Sequence, residues 1–357
     1  MNATPTSAAA REQRLLEAAR GGDEDAFRQL VEPHRKELHA HCYRMLGSVH
    51  DAEDALQDAL LRAWRGLAKF ERRGSLRSWL YRITTNACLD VLSRRPKRVL
   101  PADHQPAANP DEDLRDALIE SVWVEPYADE QLGLEEGFAA PEARYERRES
   151  VELAFIAALQ HLPATQRAAL LLRDVLGFSA REAAEALETT VASVNGALRR
   201  ARKAVKERLP IQSQQATLRA LGDNGIREIV ERYIDAWERG DVDAILAMLA
   251  EDATFSMPPL PTWYRGRDAI AVYLKRSALT VRWRLLPARS NGQLAFANYG
   301  WQSEKGAYTP LSLDVLTLEG TEAAEITAFV APYTRGPARE RFAVDVFRRF
   351  GLPDRLE

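Results

Sequence analysis

The sequence predicts a mainly α-helical N-terminal half followed by a C-terminal α+β domain. Two patterns lead to this prediction. In the first half, apolar residues recur at helical spacing, as at Leu56, Leu60 and Ala63. Further along, the period changes to two, because Trp283 and Leu285 alternate with arginines. Helices that precede a run of strands along the chain are typical of an α+β domain.

Composition divides the 357 residues into five segments. This length corresponds to two or three domains of about 100 to 200 residues each. We expect a compact helical domain over 12–96, an acidic, proline-containing linker over 97–148 and a second helical domain over 149–209. A Gln- and Ser-rich linker is expected over 210–222, and the α+β domain over 223–357.

The total composition excludes several classes of protein. A net charge of −3 indicates no polyanionic partner by itself, so charge has to be considered segment by segment. The only cysteines, Cys42 and Cys88, exclude a framework of disulfides, and we expect both to be reduced core thiols. The apolar run Ala168 to Leu172 is too short to span a membrane, and Met1 to Arg11 lacks the apolar core of a signal peptide. The expected location is therefore the cytoplasm.

The first linker carries a large excess of acids. Thirteen carboxylates face two arginines between residues 101 and 146. So many carboxylates cannot pack into a core without partners. We expect this linker to be a solvated tether.

Segment 149–209 has the pattern of a helix-turn-helix. Ser179 and Glu182 form an S-x-x-E capping box that begins a helix ending near Leu187. The next helix begins after a three-residue turn, and its polar start and basic end are typical of a recognition helix. Its polar residues can read base edges, and its basic stripe can contact phosphates. The candidate DNA-contacting residues are Ser179, Arg181, Thr189, Thr190, Ser193, Asn195, Arg199, Arg200, Arg202 and Lys203. A helical bundle whose basic face is only solvated is the alternative.

Acidic and amide residues cluster at the start of a helix in the first domain. Carboxylates at this position stabilise the positive end of the helix macrodipole, which is a sufficient explanation for them. They also leave a polar surface that could dock on a basic partner helix, while Leu56 and Leu60 face the core. The residues of this surface are Asp51, Glu53, Asp54, Gln57 and Asp58.

A second polar group follows at a loop-to-helix junction around Gly74. Three of its arginines lie beside this glycine, and Arg82 and Asn86, one turn apart, share an exposed face of the following helix. The group consists of Arg72, Arg73, Ser75, Arg77, Arg82 and Asn86.

Candidates for catalysis or metal binding are sparse. His39 and Cys42 could share a helix face, but a single pair of this kind is a weak indication of a metal site. No His or Cys follows His161, so a general base in the last domain would have to be a carboxylate. The carboxylates considered are Asp252, Asp268 and Asp314, and none stands in a catalytic motif. We predict no metal site, no cofactor and no catalytic residue.

Three stretches resemble one family. The stretch LPATQRAALLLRDVLGFSAREAAEALETTVASVNGALRRARKAVKERL, ending at Leu209, resembles region 4 of the extracytoplasmic-function (ECF) sigma factors. HCYRMLGSVHDAEDALQDALLRAW, from His41, resembles regions 2.1 to 2.2 of the same family. FERRGSLRSWLYRITTNACLDVLSRR, from Phe70, resembles the promoter-melting regions 2.3 and 2.4. The motifs stand in the family's order.

The resemblance implies core RNA polymerase and promoter DNA as partners. The acidic surface would bind the clamp helices of the polymerase β′ subunit, and the β flap would be a further contact. The group around Gly74 would bind the −10 promoter element, where a base is flipped out. The helix-turn-helix would read the −35 element. The acidic linker would thread the positively charged channel of polymerase.

The last domain resembles a SnoaL-like domain through WYRGRDAIAVYL, from Trp263. The resemblance implies a cone-shaped α+β fold with an apolar pocket, which serves enzymes and binding modules alike. We expect this domain to modulate the sigma activity. The candidate ligand-contacting residues of its pocket are Tyr233, Trp237, Phe255, Trp263 and Trp283.

Two other functions compete with a sigma factor that is not an enzyme. The chain could be a stand-alone helix-turn-helix regulator with a ligand-sensing domain, but the acidic surface of the first domain argues against it. It could also be an isomerase or cyclase whose activity resides in the last domain. The missing His and the unmatched acids weaken that hypothesis.

Overall fold

The computed structural model describes residues 5–70, 75–118, 122–131, 148–330 and 344–357. The chain divides into two compact units. The helical unit comprises Met1–Pro96 and Leu159–Glu207, and the mixed unit comprises Lys97–Ala158 and Arg208–Glu357. Each unit is therefore built from two separate stretches of chain.

Most of the helices precede the strands along the chain, and the long strands lie near the C-terminal end. In chain order the helices are α1 (Pro5–Arg20), α2 (Glu24–Leu46), α3 (Val49–Gly66), α4 (Leu76–Leu92), α5 (Pro101–His104), α6 (Leu153–Gln160), α7 (Ala164–Leu170), α8 (Ala180–Ala186), α9 (Val191–Lys206), α10 (Gln214–Arg239), α11 (Val242–Leu246) and α12 (Arg267–Arg276). Short 3-10 turns cover Leu67–Lys69 and Ala278–Thr280, and a π-helical turn covers Leu171–Val175. The strands are β1 (Leu249–Ser256), β2 (Trp263–Arg265), β3 (Trp283–Ser290), β4 (Gln293–Gln302), β5 (Ala307–Glu319) and β6 (Glu322–Val330).

Polar caps set the starts of the long helices in the helical unit. Ser48 Oγ accepts a hydrogen bond from the Asp51 backbone N–H at 3.1 Å, which begins α3. Ser75 Oγ accepts one from the Ser78 N–H at 3.1 Å, which begins α4. The apolar stripes that follow these caps pack together as a core. Its members include Leu38, Tyr43, Leu56, Ala63, Leu80 and the free thiols Cys42 and Cys88.

A buried arginine connects α7 to α2 inside the helical unit. Arg167 is only 2% exposed. Its guanidinium donates to the Met45 carbonyl and, at 2.6 Å, to Gln160 Oε1. It also donates to the carbonyls of Gln160 at 3.1 Å and Leu162 at 3.3 Å. These acceptors are neutral, so burial lowers the pKa of Arg167 to about 10. The guanidinium thus satisfies carbonyls from two helical regions at once.

The mixed unit is built on a six-stranded sheet with the order β2-β1-β6-β5-β4-β3. Only the β1–β6 pair is parallel, and the other neighbours are antiparallel. The alternation at Trp283 and Leu285, which predicted a strand, lies in β3. Strands β1 and β2 were not expected, because the central charges of β1, Glu251 and Asp252, obscure its period of two.

Helix α10 lies where the sequence led us to expect a linker over 210–222. The helix begins at Gln214 and bends at Gly222, whose φ of 63° lies in the left-handed region. Gln214 pairs with Leu318 as a neighbouring strand would, since its Nε2 donates to the Leu318 carbonyl at 2.9 Å and its Oε1 accepts from the Leu318 N–H at 2.7 Å. The glutamines that indicated a linker thus bind the sheet. The helix ends at Arg239, and Gly240 caps it with a φ of 64° in the left-handed region.

The turn between β3 and β4 is buried, although hairpin turns usually face solvent. Asn291 and Gly292 have φ values of 57° and 72°, as a two-residue type I′ hairpin requires. Asn291 is 0% exposed. Its backbone N–H donates to the Tyr127 carbonyl and its Oδ1 accepts from the Tyr127 N–H, both at 2.9 Å. The Gly292 N–H donates to Asp129 Oδ1 at 2.8 Å, and Asn291 Nδ2 donates to the Val151 carbonyl at 2.8 Å.

Other parts of segment 97–131 also contact the mixed unit's sheet region. The indole of Trp263 donates to the Gln105 carbonyl at 2.8 Å, and Gln105 Nε2 donates to the Pro261 carbonyl at 2.7 Å. The Ala108 N–H donates to the Trp263 carbonyl at 2.8 Å. Most described acids of this segment stay exposed, but Asp129 is 7% exposed. The segment differs from a free tether because its backbone, the Gln105 side chain and the Asp129 carboxylate bind groups of the sheet region.

Candidate functional sites

Helices α8 and α9 form the helix-turn-helix. Ser179 and Glu182 make both hydrogen bonds of the capping box, and α8 ends at Ala186. Thr190 Oγ1 accepts from the Ser193 N–H at 3.1 Å and begins α9. Val194, Leu198, Ala201 and Val205 are buried on one face of α9, so the opposite face is the exposed one.

The exposed face of α9 carries most of the residues that the sequence singled out. Asn195, Arg199, Arg200 and Lys203 are exposed. Arg202 is exposed too, but its Nε and Nη2 bind the Asp174 carboxylate at 2.8 and 2.7 Å. Several other candidates serve local structure. Thr190 and Ser193 share the cap, Ser179 caps α8, and Arg181 pairs with Glu185 at 3.0 Å, whereas Thr189 is exposed.

The acidic surface on α3 is smaller than the sequence indicated. Asp51 is 3% exposed and its carboxylate pairs with Arg95, so it does not belong to a docking surface. The reason is that Asp51 lies inside the first turn, against the chain that leaves α4. Asp54, Gln57 and Asp58 are exposed and Glu53 is half-buried. Asp58 pairs with Arg62 at 2.6 Å.

The residues of the polar group around Gly74 also differ from one another in exposure and in their partners. Arg72 and Arg73 lie outside the described residues. Arg82 is exposed and Asn86 is half-buried, and both lie on α4. Ser75 caps the helix.

Arg77 is engaged inside the helical unit. Its Nε donates to Glu37 Oε2 at 3.0 Å, and its guanidinium lies 4.8 Å from the ring centre of Tyr81 and 5.2 Å from that of Phe178. Burial acts to raise the pKa of Glu37, but the neighbouring His34 and the Arg77 guanidinium lower it below its ordinary value. In this conformation Arg77 is therefore not available to DNA.

The mixed unit contains a cavity of about 110 Å³ above one face of the sheet. Trp237, Phe255, Tyr273 and Trp283 supply aromatic walls, and polar side chains from β4 and β5 form the floor. Trp237, Phe255 and Trp283 were expected here. Two other expected residues do not line this cavity: Tyr233 lies behind the floor, and Trp263 binds Gln105 instead.

The polar floor is a hydrogen-bonded row of side chains. Asn298 Nδ2 donates to Ser312 Oγ at 2.9 Å, and Ser312 Oγ donates to Asp314 Oδ1 at 3.0 Å. Tyr233 donates from its hydroxyl to Asp314 Oδ2 at 2.9 Å. The β4–β5 register places Asn298 opposite Ser312, and Asp314 follows two residues later on the same face. Asp314 was a candidate from the sequence without a motif, whereas Asn298 and Ser312 were not predicted. Their alternation along two paired strands was the available signal.

Burial raises the pKa of Asp314 from its ordinary 3.8 to about 6, against the lowering effect of the neighbouring polar side chains of Asn298, Tyr233 and Ser312. Burial and the neighbouring Asp314 raise the pKa of Tyr233 well above its usual value. The other acids considered differ from Asp314. Asp252 is exposed and pairs with Arg265 at 3.7 Å, and Asp268 lies in the first turn of α12.

The described residues hold no group of three or more His, Cys, Asp or Glu that could bind a metal ion. His41 is buried beside the predicted weak pair His39 and Cys42, and its Nε2 lies 2.9 Å from Thr85 Oγ1. Burial lowers the pKa of His41 to about 3, so it is neutral. Among the described helices, none is long and apolar enough to cross a membrane.

Comparison with known protein families matches three parts of the chain. Residues 30–98 match Sigma-70 region 2, residues 152–205 match Sigma-70, region 4, and residues 230–346 match a SnoaL-like domain. The first two matches contain the acidic surface and the helix-turn-helix. The fold and these sites define a bacterial sigma-70-type transcription factor with an additional C-terminal domain.

Individual relatives specify the family further. The ECF RNA polymerase sigma factor SigG of Mycobacterium tuberculosis is 38% identical over 334 residues, which cover 92% of this chain and 85% of the relative. SigJ of the same organism is 28% identical over 281 residues, or 77% of this chain and 78% of that relative. The crystal structure of SigJ shares the fold, with a TM-score of 0.52 and 20% identity over 89% of this chain and 97% of that one. The chain belongs to the ECF RNA polymerase sigma factors and carries a SnoaL-like C-terminal domain.

The raised pKa of Asp314 predicts an unusual pH dependence of stability. Between about pH 4 and pH 6 the folded state binds more protons than the unfolded state, so the free energy of unfolding falls as pH rises, by up to about 3 kcal/mol in total. Asp314→Asn removes this loss. We expect the melting temperature of the variant, minus that of the wild type, to increase from about pH 5 to pH 7. Asp252→Asn is the control, and an equal, pH-independent difference for both variants would contradict the prediction.

Proposed function

We propose that the exposed residues of the two sigma regions act as the resemblance implies. In α3, Glu53, Asp54, Gln57 and Asp58 bind core RNA polymerase, at its β′ clamp helices. In α9, the exposed polar and basic side chains contact the −35 promoter element, and Arg82 and Asn86 of α4 contact the −10 element. The observation that carries this proposal is that most of these side chains are exposed and that Glu53 and Asn86 are half-buried, whereas the buried Asp51 and the half-buried Arg77 are held in ion pairs within the helical unit. Such a protein acts in the cytoplasm.

We also propose that the SnoaL-like domain modulates the sigma activity and performs no chemistry. What supports this is the set of contacts between the domain and segment 97–131, which connects the two sigma regions along the chain. Tyr127 and Asp129 bind the buried Asn291–Gly292 turn through three hydrogen bonds. Any rearrangement of the segment during initiation must break these bonds, each of which costs about 1 to 3 kcal/mol when a buried group loses its partner. The domain can thereby restrain initiation.

A small ligand in the cavity lined by Trp237, Phe255 and Trp283 would influence the same domain. Binding to one conformation of the domain more strongly than to another would shift the equilibrium between them. An isomerase or cyclase would use the same cavity, and the observation that favours it is the buried Asp314. The cavity volume of about 110 Å³ argues against a polycyclic substrate. An engineered cavity of about 150 Å³ holds a single benzene ring.

The polymerase-binding surface can be tested by charge reversal. Asp54→Lys combined with Asp58→Lys places cations opposite the basic clamp residues, so we expect affinity for core polymerase to fall about tenfold or more. Glu12→Lys with Glu17→Lys, exposed on α1, makes the same change of net charge and is the matched control. Pull-down and titration with core polymerase provide the measurement. Equal affinities of the two double variants would assign binding to another surface.

The recognition helix can be tested through salt dependence. Among the described residues Arg199 takes part in no ion pair, whereas Arg202 binds Asp174. We expect Arg199→Gln to reduce the slope of log affinity against log salt by about one unit in promoter binding by the holoenzyme. Arg202→Gln should change this slope much less. Identical slopes for wild type and Arg199→Gln would exclude a phosphate contact at Arg199.

The restraint on segment 97–131 can be tested with two adjacent acids. Asp129→Ala removes the acceptor of the Gly292 N–H, whereas Glu130→Ala changes an exposed acid. We expect Asp129→Ala to raise run-off transcription by the reconstituted holoenzyme about fivefold, because the lost bond weakens the restraint. It should also speed cleavage of the segment by a protease.

Faster cleavage with unchanged transcription would show that the contact is structural only. Unchanged cleavage and transcription would show that Asp129 does not hold the segment. Both results would contradict the proposed restraint.

A further inference from the structure

The cavity of the SnoaL-like domain has an electrostatic imbalance. Asp314 is the only ionisable acid or base among its described lining residues besides the phenol of Tyr273. It is 1% exposed, and its hydrogen bonds come from the neutral groups of Ser312 and Tyr233. A buried carboxylate without a basic partner is costly, because desolvation is not offset by an opposite charge. A cation in the cavity would remove this cost.

The hydrogen-bonding groups on the cavity floor also call for a donor. Ser312 Oγ donates to Asp314, so it must accept from the Asn298 amide nitrogen, which leaves Asn298 Oδ1 free. Within the described residues this oxygen has no hydrogen-bond partner although Asn298 is only 2% exposed. A carbonyl oxygen and a carboxylate on one floor both accept hydrogen bonds. The complementary ligand group is therefore rich in N–H donors.

The walls of the cavity fit the rest of such a ligand. Trp237 and Trp283 meet edge to face with ring centres 6.0 Å apart, and Phe255 and Tyr273 lie 5.3 Å apart. Aromatic faces attract organic cations, and their apolar surface accommodates an alkyl body. The volume of about 110 Å³ limits that body to a few carbon atoms or one small ring.

We propose that this cavity binds a small organic ammonium ion, with Asp314 as its counter-ion and Asn298 Oδ1 as a hydrogen-bond acceptor. The inference deepens the proposed modulatory role, since it names the ligand class through which the domain would be modulated. It rests on that role only for its consequence in transcription. Binding itself is measured without polymerase or DNA, so the two proposals can fail separately.

The test compares two probes of nearly equal shape, tert-butylammonium and tert-butanol, with the full-length protein at neutral pH. Ligand-observed NMR titration gives the affinity of each probe. We expect tert-butylammonium to bind about tenfold more tightly than tert-butanol. Asp314→Asn keeps the shape of the side chain but removes its charge. It should weaken ammonium binding about thirtyfold or more and leave the alcohol unaffected.

Asp252→Asn, an exposed acid of the same domain, is the matched control and should leave both affinities unchanged. Equal binding of the two probes would overturn the proposal in favour of a neutral ligand. Absence of saturable binding by either probe would mean that the cavity holds water only. Equal weakening by Asp314→Asn and Asp252→Asn would show that Asp314 is not the counter-ion.

Discussion

The mixed unit depends on satisfying the backbone of one buried hairpin turn. A turn at the surface is hydrated, but Asn291 and Gly292 are enclosed, so each of their polar groups needs a partner from the protein. Tyr127, Asp129 and Val151 supply partners from the first stretch of the unit, and Gln215 Nε2 donates to the Gly292 carbonyl at 2.5 Å. An added Cβ at Gly292 would lie 3.0 Å from Gln215 Nε2, which leaves little room for another residue. The turn thus joins segments that are distant along the chain into one domain.

In the helical unit, buried polar groups likewise need partners from the protein. This need distinguishes the polar residues that serve the fold from those that stay exposed. Asp51 and Arg167 are buried and bound to protein partners, and Arg77 is held between a carboxylate and two rings. Once these residues are committed to the fold, the polar residues left exposed on α3 and α9 form two surfaces of opposite charge. Opposite charges suit partners as different as a basic protein helix and the phosphate backbone of DNA.

Local signals allowed much of the fold and part of the sites to be predicted from sequence. The capping box at Ser179 and the period of two at Trp283 and Leu285 in β3 act within a few residues, so the sequence shows them directly. The burial of Asp51 depends on Arg95, 44 residues away, and the partner of Tyr127 is 164 residues away. No local pattern reports such pairings. For the same reason, Asp314 and Asn298 could not be connected before the register of β4 and β5 was known.

The order of the segments along the chain has a consequence for incomplete copies of this protein. Residues 159–207 interrupt the mixed unit, so its first stretch is synthesised well before the strands on which it packs. A chain ended by a premature stop after Glu207 would keep both sigma regions but leave Tyr127 and Ala128, both buried in the full protein, without the β3–β4 hairpin on which they lie. Exposed apolar side chains of this kind favour aggregation and attract cellular proteases. Loss of the C-terminal domain would therefore produce a short-lived polypeptide instead of a simple, unregulated sigma factor.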